Sequence, residues 1–331
     1  MKNRVTPFVD TKNTDKVIRL AKTTVDNRGW LVIIGEVGAG KSYLVKQLSD
    51  FWKANPNKFT LVDMGKVFER GSFSVSGVMK SMLKQIAPDE EMPGNIQGKY
   101  DLIRKALSNN VSMNRKIILL FDEAQNLSAS TIRDLKKLHE IESGEHEHLF
   151  AILMFGKNSS RWENLLNGQE VGWRVSKNYL YNLEKEEILK FAKDSHNITF
   201  EAGRNGDRAK QLFLSNTHPT PLGVKRMVSI LEANDDSFTG KVTEESLRTA
   251  LGTSLKQILT SSKISYRTIQ DRLLKNRNLK VDKSTVSKVM SYQTEDVKSE
   301  TAQAIIDEAL AELNAVSGGN VDLKYNIAAN G

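Results

Sequence analysis

A glycine-rich segment near the start of the chain has the residue types and spacing of a phosphate-binding loop. Residues 35–42 have the sequence GEVGAGKS, which satisfies the pattern G-x-x-x-x-G-K-[ST]. An apolar run at 30–34 (WLVII) precedes the loop, and a helical pattern at 43–52 follows it. Glycines let the backbone wrap closely around a polyphosphate, and a helix N-terminus supplies positive potential. The pattern therefore predicts a strand, a loop and a helix that bind nucleotide phosphates.

The residues of this loop have separate expected roles. We expect Lys41 to reach the β- and γ-phosphates and to take part in catalysis, and the Ser42 hydroxyl to bind Mg²⁺. The residues expected to bind the nucleotide are Gly35, Glu36, Val37, Gly38, Ala39, Gly40, Lys41, Ser42 and Tyr43. The predicted cofactors are ATP and Mg²⁺. A glycine turn without a ligand is the alternative, which the flanking strand and helix disfavour.

Two carboxylates follow a second apolar run. Residues 117–121 (IILLF) are followed directly by Asp122 and Glu123. Such a run is typical of a parallel strand that is covered on both faces. We expect this strand to neighbour the strand of the phosphate loop, so that Asp122 holds Mg²⁺ and Glu123 activates the attacking water. The pair therefore predicts hydrolysis of ATP, and two solvated acids at the end of an ordinary strand are the weaker alternative.

The composition favours an intracellular protein with an anionic partner. The chain has 331 residues, a net charge of +8 and no cysteine, which excludes disulfides and thiolate metal sites and fits a reducing cytoplasm. No apolar run approaches the roughly 20 residues that span a bilayer, and the N-terminus lacks an apolar signal region. We expect a soluble, cytoplasmic protein of two or three domains with no membrane partner.

Strand and helix patterns alternate through the first half of the chain. Further strands are expected at 58–64 and 149–155, the pattern allows a fifth at 179–183, and helices are expected at 73–86, 100–107 and 128–141. This alternation predicts an α/β domain with a mainly parallel sheet, whose ligands bind at the carboxyl ends of the strands. From residue 184 the pattern is helical, at 185–195, 207–215 and 222–233, and a polar segment at 234–240 is the expected linker.

The C-terminal region has an uneven charge distribution. Between Lys256 and Lys288, nine lysines and arginines stand against two aspartates, a net charge of +7. Short helices at 265–275 and 283–291, with a turn near 276–282, predict a helix-turn-helix-like domain. Its expected DNA contacts are Arg267, Lys283, Ser284, Thr285 and Lys288. A helical bundle with a solvated basic face is the alternative, and an acidic helix at 299–313 follows.

The segment at 122–127, DEAQNL, resembles the D-E-A-x-x-L element of a bacterial AAA+ group. That group includes the ExeA-like ATPases, the TnsC transposition regulators and the B transposition protein of phage Mu. Supporting segments lie at 7–11, 135–138, 152–156 and 174–177, and the resemblance covers about residues 5–235. It implies a P-loop AAA+ parallel sheet sandwiched by helices, followed by a helical lid. The predicted segments are an AAA+ domain at 1–183, a lid at 184–236, a helical DNA-binding domain at 242–316 and a disordered tail at 317–331.

The resemblance implies roles for further residues. Arg174 resembles an arginine finger supplied in trans to the nucleotide of a neighbouring subunit, with Arg161 as the alternative. Arg226 resembles the sensor 2 arginine of the lid, with Lys225 as the competing choice. The sensor 1 position, usually an amide or small polar residue, falls on Lys157 with Asn158 next to it, so both remain candidates.

The resemblance also implies partners. In that group ATP lies between subunits that polymerise on DNA and mark the target for a transposase. The resemblance therefore implies double-stranded DNA, a transposase and further copies of this chain as partners. Basic residues expected near the inner loops of the ATPase domain are Lys66, Arg70, Arg133, Lys136 and Lys137. The Mu B helix-turn-helix is N-terminal, whereas the one expected here is C-terminal. A replication-type loader or helicase accessory ATPase, and a nucleotide-switched transcription regulator, are the alternative functions.

Overall fold

The computed structural model describes residues 11–65, 74–142, 144, 146–168, 171, 173–294 and 296–316. The chain divides into two compact units, with the division between Asn182 and Leu183. Within the described ranges, no helix combines the length and the apolar character needed to cross a membrane. The tail predicted at 317–331 lies outside the described residues.

The first unit contains a five-stranded parallel sheet. Its strands are β1 (Trp30–Gly35), β2 (Phe59–Asp63), β3 (Lys116–Phe121), β4 (Phe150–Lys157) and β5 (Val175–Leu180). They lie in the order β2-β3-β4-β1-β5, and each neighbouring pair is parallel. Strands β1, β3 and β4 are buried almost throughout, as expected where helices cover both faces of a sheet.

Helices pack against this sheet and complete its core. Those that the structure describes in the first unit are α1 (Lys12–Asp26), α2 (Lys41–Lys53), α3 (Val75–Ile86), α4 (Ile96–Ser112), α5 (Ala129–His139) and α6 (Ser160–Asn167). Side-chain oxygens of Asn95, Ser128 and Ser159 cap three of these helices. Apolar residues of the strands and helices form one buried cluster. The predicted α/β fold with a parallel sheet is confirmed.

The strand order corrects one expectation. Strand β4 lies between β1 and β3, so the strand that ends before Asp122 does not neighbour the strand of the phosphate loop. Gly35 of β1 pairs with Lys157 of β4, and Phe121 of β3 pairs with Met154 of β4. The apolar runs of these strands are equally continuous because helices cover each of them, so composition does not reveal which is central. The end of β4 consequently lies between the two motifs.

Two elements differ in extent from the prediction. Strand β5 begins at Val175, earlier than the expected 179. Residues 176–178 of this edge strand are polar, so the apolar pattern did not reveal its first half. Helix α4 begins a turn before the expected residue 100, where the Asn95 side chain caps it, and it continues past 107 to Ser112.

The second unit is mainly helical. Its described elements are α7 (Lys185–His196), β6 (Thr199–Phe200), α8 (Arg204–Asn216), α9 (Pro221–Asn234), β7 (Lys241–Val242), α10 (Glu244–Ser261), α11 (Tyr266–Arg277), α12 (Lys283–Met290) and α13 (Ser299–Val316). Helix α10 has no counterpart in the sequence prediction. Strand β7 directly follows the predicted linker and pairs with β6, and one apolar cluster includes residues from every helix of the unit. The division into a lid and a DNA-binding domain stays a prediction.

His139, the last residue of α5, links the amino-terminal ends of β1 and β4. Its Nε2 lies 3.0 Å from the carbonyl oxygen of Arg28 and 3.1 Å from that of Phe150, so this nitrogen carries the proton and donates. The ring of His148 stacks on it with centroids 4.1 Å apart. Burial, and then the charge of His148, lower the pKa of His139 to about 4.

We predict that His139 makes the protein less stable in mild acid. The pKa of His139 is about 4 in the folded state and about 6.5 in an unfolded chain. The stability that neutral His139 contributes is therefore complete above about pH 6.5, and it declines as the pH falls towards about 4. Between pH 7.5 and pH 5 the free energy of unfolding should drop by about 2 kcal/mol from this group. Urea unfolding at both pH values measures the loss. His139→Gln keeps an N–H donor that does not titrate in this range, and an unchanged pH dependence in that variant would contradict the assignment.

Candidate functional site

The loop between β1 and α2 has the geometry of an anion site. Gly38 and Gly40 have φ angles of 81° and 95°, which residues with a side chain rarely adopt. Gly40 is the N-cap of α2, and it offers no side-chain acceptor to the first N–H groups of the helix. Those N–H groups and the positive end of the helix dipole favour a bound phosphate. Val37 and Tyr43 are exposed beside this loop, and Ala39 is buried beneath it.

Lys41 is buried at the start of α2, with 6% of its surface exposed. Its Nζ donates to the carbonyl oxygens of Gly35 at 2.8 Å and Glu36 at 2.7 Å. Burial lowers the pKa of Lys41, and the charges of Glu123, Asp122 and Glu36 oppose this shift. The ammonium has three N–H donors, so one remains for a phosphate oxygen. Lys41 is therefore held against the loop and within the electrostatic reach of both carboxylates.

Asp122 and Glu123 follow β3 at the edge of the sheet formed by the carboxyl ends of the strands, here called the carboxyl edge. The N–H of Glu123 donates to Oδ1 of Asp122 at 2.9 Å. Glu123 has a φ of 53°, and a short 3-10 turn over Ala124–Asn126 follows it. A left-handed backbone costs a residue with a side chain roughly 1–2 kcal/mol, and such conformations cluster at functional sites.

The oxygen donors at this edge fit Mg²⁺. Ser42 carries a hydroxyl at the first turn of α2, and Asp122 carries a carboxylate directly after β3. Mg²⁺ prefers oxygen ligands, and it needs only one or two from the protein because water and nucleotide phosphates supply the others. Both side chains are accessible to solvent, so the pair could hold the ion together with ATP.

Gln125 joins the carboxylates to the end of β4. Its Nε2 donates to Oε2 of Glu123 at 2.5 Å, and its Oε1 accepts the backbone N–H of Lys157 at 3.0 Å. Lys157, one of the two candidates for sensor 1, therefore contributes its backbone to this network, and Asn158, the other candidate, follows it at an exposed position. Gln125 was not predicted as a functional residue, because it occupies a variable position of the D-E-A-x-x-L element.

Glu36 has a second contact in the first unit. Asn182, the last residue of that unit, donates from Nδ2 to Oε2 of Glu36 at 3.0 Å. Since Glu36 also supplies a carbonyl to Lys41, this hydrogen bond fixes the loop from the side of β5.

Arg174 lies at the opposite edge of the sheet from the phosphate loop. It precedes β5, whose first residue Val175 pairs with Trp30 at the start of β1. The length of β1, about 20 Å at about 3.3 Å per residue, separates this edge from Gly35. Nη2 of Arg174 lies 2.6 Å from Oε1 of Glu140. Arg174 therefore cannot contact a nucleotide on its own loop.

The other expected arginines lie elsewhere. Arg161, the alternative finger, belongs to α6 and follows β4, so it lies at the carboxyl edge in an exposed position. Lys225 and Arg226 occupy exposed positions of α9 in the second unit.

The expected DNA contacts of the first unit are only partly described. Lys66 and Arg70 lie outside the described residues. Arg133 and Lys137 are exposed one turn apart on α5, and Lys136 is half-buried. Nζ of Lys137 lies 3.3 Å from Oδ1 of Asp134. The described residues therefore place three cations on one helix, at least one of them paired.

The basic segment of the second unit contains both paired and unpaired cations. Arg272 and Arg277 contact carboxylates of α13, at 2.7 Å from Glu312 and 3.1 Å from Glu308, respectively. Lys288 lies 3.5 Å from Asp296. Four cations line one cleft beside α10 and α11: Lys256, Arg267, Lys280 and Lys283. In the part of the chain that the structure describes, none of these four belongs to an ion pair.

The two hydroxyls expected to face DNA donate to the carboxylate of Asp282, which caps α12. Oγ of Ser284 donates to Oδ1 of Asp282 at 2.5 Å, and Oγ1 of Thr285 donates to its Oδ2 at 2.8 Å. The Thr285 N–H also donates to Oδ1 at 2.8 Å. Hydrogen bonds from Ser284 and Thr285 hold the pKa of Asp282 well below its usual value. The cleft lysines and Arg267 are thus better placed for phosphate than these hydroxyls.

Comparisons with known proteins indicate the same fold. Residues 24–164 match a family model described as AAA domain. The ORC2 protein of Aeropyrum pernix, solved as ADPNP–ADP complexes, is 13% identical over 96% of this chain and 97% of that chain, with a TM-score of 0.51. Cdc6p from Pyrobaculum aerophilum is 13% identical over 94% of this chain and 89% of that chain, with a TM-score of 0.52. No curated protein matches. The AAA+ P-loop fold is confirmed, whereas the narrower group suggested by DEAQNL stays a prediction.

We predict that Lys41→Ala weakens MgATP binding by about 10- to 100-fold, because a hydrogen bond to a charged group contributes about 1.5–3 kcal/mol. Glu123→Gln should bind ATP normally, since the loop and the magnesium ligands are intact. Titration with a fluorescent ATP analogue measures both affinities. Lys46→Ala removes an exposed cation from the same helix and serves as the control. Equal affinities in Lys41→Ala and Lys46→Ala would exclude a phosphate role for Lys41.

Proposed function

We propose that this chain, in which residues 24–164 match an AAA domain, is a DNA-dependent ATPase that hydrolyses MgATP between copies assembled on duplex DNA. The observation that carries the ATPase proposal is the placement of Lys41, Asp122 and Glu123 at one sheet edge. The two carboxylates act electrostatically on the buried ammonium of Lys41. A phosphate-binding cation, a metal ligand and a general base are the groups that phosphoryl transfer to water requires.

In the proposed reaction, Glu123 accepts a proton from water as the water oxygen bonds to the γ-phosphorus. The bond between the γ-phosphorus and the β–γ bridging oxygen breaks, which gives ADP and inorganic phosphate. Lys41 and the N–H groups of the loop stabilise negative charge on the phosphates. Mg²⁺, when held by Ser42 and Asp122, supplies further neutralisation of that charge.

The position of Arg174 supports assembly. Because Arg174 lies at the edge opposite to its own loop, it can reach a γ-phosphate only on a second copy. Trp173 beside it is 90% exposed, and large aromatic residues are enriched at protein interfaces. Arg174 must leave Glu140 on assembly, and such partly exposed ion pairs contribute only about 0–1 kcal/mol.

Duplex DNA is the proposed activating partner. The cleft of Lys256, Arg267, Lys280 and Lys283 concentrates four cations without ion-pair partners among the described residues. Contacts of this kind with phosphates supply affinity that is largely independent of base sequence. They support DNA coating with low sequence selectivity.

The biological role that we propose is the selection or delivery of target DNA for a transposase. This part rests on the resemblance of residues 122–127 to the ExeA-like, TnsC and Mu B group. Affinity purification of the protein with ATP tests it. Recovery of a replicative helicase in place of a transposase would support the loader alternative.

We predict that Lys280→Gln combined with Lys283→Gln weakens duplex binding and flattens its dependence on salt. The plot of log K against log salt concentration should lose about 0.9 in slope for each phosphate contact that disappears. Anisotropy of a labelled duplex at several salt concentrations measures this slope. Lys193→Gln with Lys298→Gln removes the same charge from exposed positions outside the cleft and is the matched control. If the wild type, the cleft variant and the control variant all have the same slope, the cleft is only a solvated surface.

We predict that Arg174→Ala binds ATP normally but hydrolyses it about 10³-fold more slowly, the loss expected for an arginine finger. Mixing it with Glu123→Gln should restore part of the activity, because some interfaces then combine an intact Glu123 with an intact Arg174. Steady-state phosphate release measures both effects, with Arg161→Ala in parallel. Full activity of Arg174→Ala, or an inactive mixture, would rule out Arg174 as a finger in trans.

A further inference from the structure

The side-chain amide of Gln125 has one orientation that satisfies its surroundings. Its Oε1 faces the Lys157 N–H, and its Nε2 faces the Glu123 carboxylate. A 180° rotation of the amide would set N–H against N–H and oxygen against carboxylate, so the orientation follows from the network. Gln125 can therefore act as a donor to Glu123 and as an acceptor for β4 at the same time.

Gly156 provides the space that this amide occupies. A Cβ at position 156 would lie 3.1 Å from Oε1 of Gln125 and 3.2 Å from Nε1 of Trp162. Both distances are shorter than ordinary van der Waals contacts, so a side chain at 156 would displace the amide or the indole. The end of β4 is thus shaped to let Gln125 lie directly against its backbone.

The carboxylate of Glu123 depends on this contact for its orientation. Its backbone is set by the left-handed φ and by the hydrogen bond to Asp122, but its side chain is exposed. Among the described residues, Gln125 is the one hydrogen-bond donor to this carboxylate. Oε2 is held by that bond, and Oε1 is left to accept from a water molecule.

We propose that Gln125 is the positioning residue that fixes the Glu123 carboxylate relative to the phosphate loop. Its acceptor end is anchored on Lys157, which pairs with Gly35, the first residue of the loop. A single side chain thereby spans from the general base to the strand beside the loop. This inference rests on the ATP hydrolysis proposed above and adds to it a residue that sets the rate without contacting the substrate.

Substitutions of Gln125 distinguish the contribution of its N–H donor from that of its oxygen acceptor. Gln125→Glu keeps an oxygen for the Lys157 N–H but replaces the donor with a carboxylate that repels Glu123. Its kcat should fall by about 100-fold, the cost of a misplacement of about 1 Å, whereas KM for ATP should change by less than about twofold. Gln125→Leu removes both contacts and should lower kcat at least as much. Asn126→Ala, at an exposed position of the same turn, should retain the wild-type kcat.

A double-mutant cycle distinguishes positioning from a general structural role. In a Glu123→Gln background, Gln125→Glu should cause no further loss of turnover, because the carboxylate that Gln125 positions is gone. A structural role would instead give a further loss in that background and a weaker affinity for ATP in both backgrounds. Either of these results would overturn the proposal, as would a wild-type kcat in Gln125→Glu.

The wild-type protein separates this inference from the proposed function. If it binds MgATP but shows no turnover with duplex DNA, the ATPase proposal fails, and the role of Gln125 fails with it. If the wild type hydrolyses ATP and Gln125→Glu does so equally fast, only the role of Gln125 fails.

Discussion

A buried ammonium at the start of α2 is the constraint on which the nucleotide site depends. Lys41 is almost fully enclosed, and an uncompensated buried charge costs several kcal/mol. The carbonyls of Gly35 and Glu36 accept hydrogen bonds from it, and the negative charges of Glu123 and Asp122 partly offset the desolvation that lowers its pKa. These groups come from the ends of β1 and β3, with β4 between them. The strand order consequently brings the loop carbonyls and the acidic pair to the ammonium of Lys41. Loss of the carbonyl or carboxylate contacts would leave that buried charge less compensated.

The sequence predicted the parts of the site that local pattern determines. The loop at 35–42 and the acidic pair at 122–123 are short motifs next to apolar runs, and both lie where strands end. The order of the strands could not be predicted, because buried strands have similar apolar runs whatever their place in the sheet. The role of Gln125 depends on Lys157, 32 residues away in the chain, so only the folded structure brings the two together.

Only part of the basic excess of the second unit is available to a partner. The excess between Lys256 and Lys288 includes Arg272 and Arg277, which the structure pairs with acidic residues of α13. Glu308 is largely buried and accepts from both arginines and from Asn276, so this part of the charge anchors helices to each other. The cleft cations are the part that remains for an anionic partner. Because one apolar core spans the whole unit, point substitutions at the cleft are more informative than truncation.

Hydrolysis of ATP between copies of this chain on DNA requires an assembly that electron microscopy can image. The sample is the protein with duplex DNA and a non-hydrolysable ATP analogue. We expect an assembly along the duplex in which residues 35–42 of one copy hold the analogue and Arg174 of the next faces its γ-phosphate. Isolated copies with the analogue bound, and with Arg174 still on Glu140 and distant from every phosphate, would contradict it.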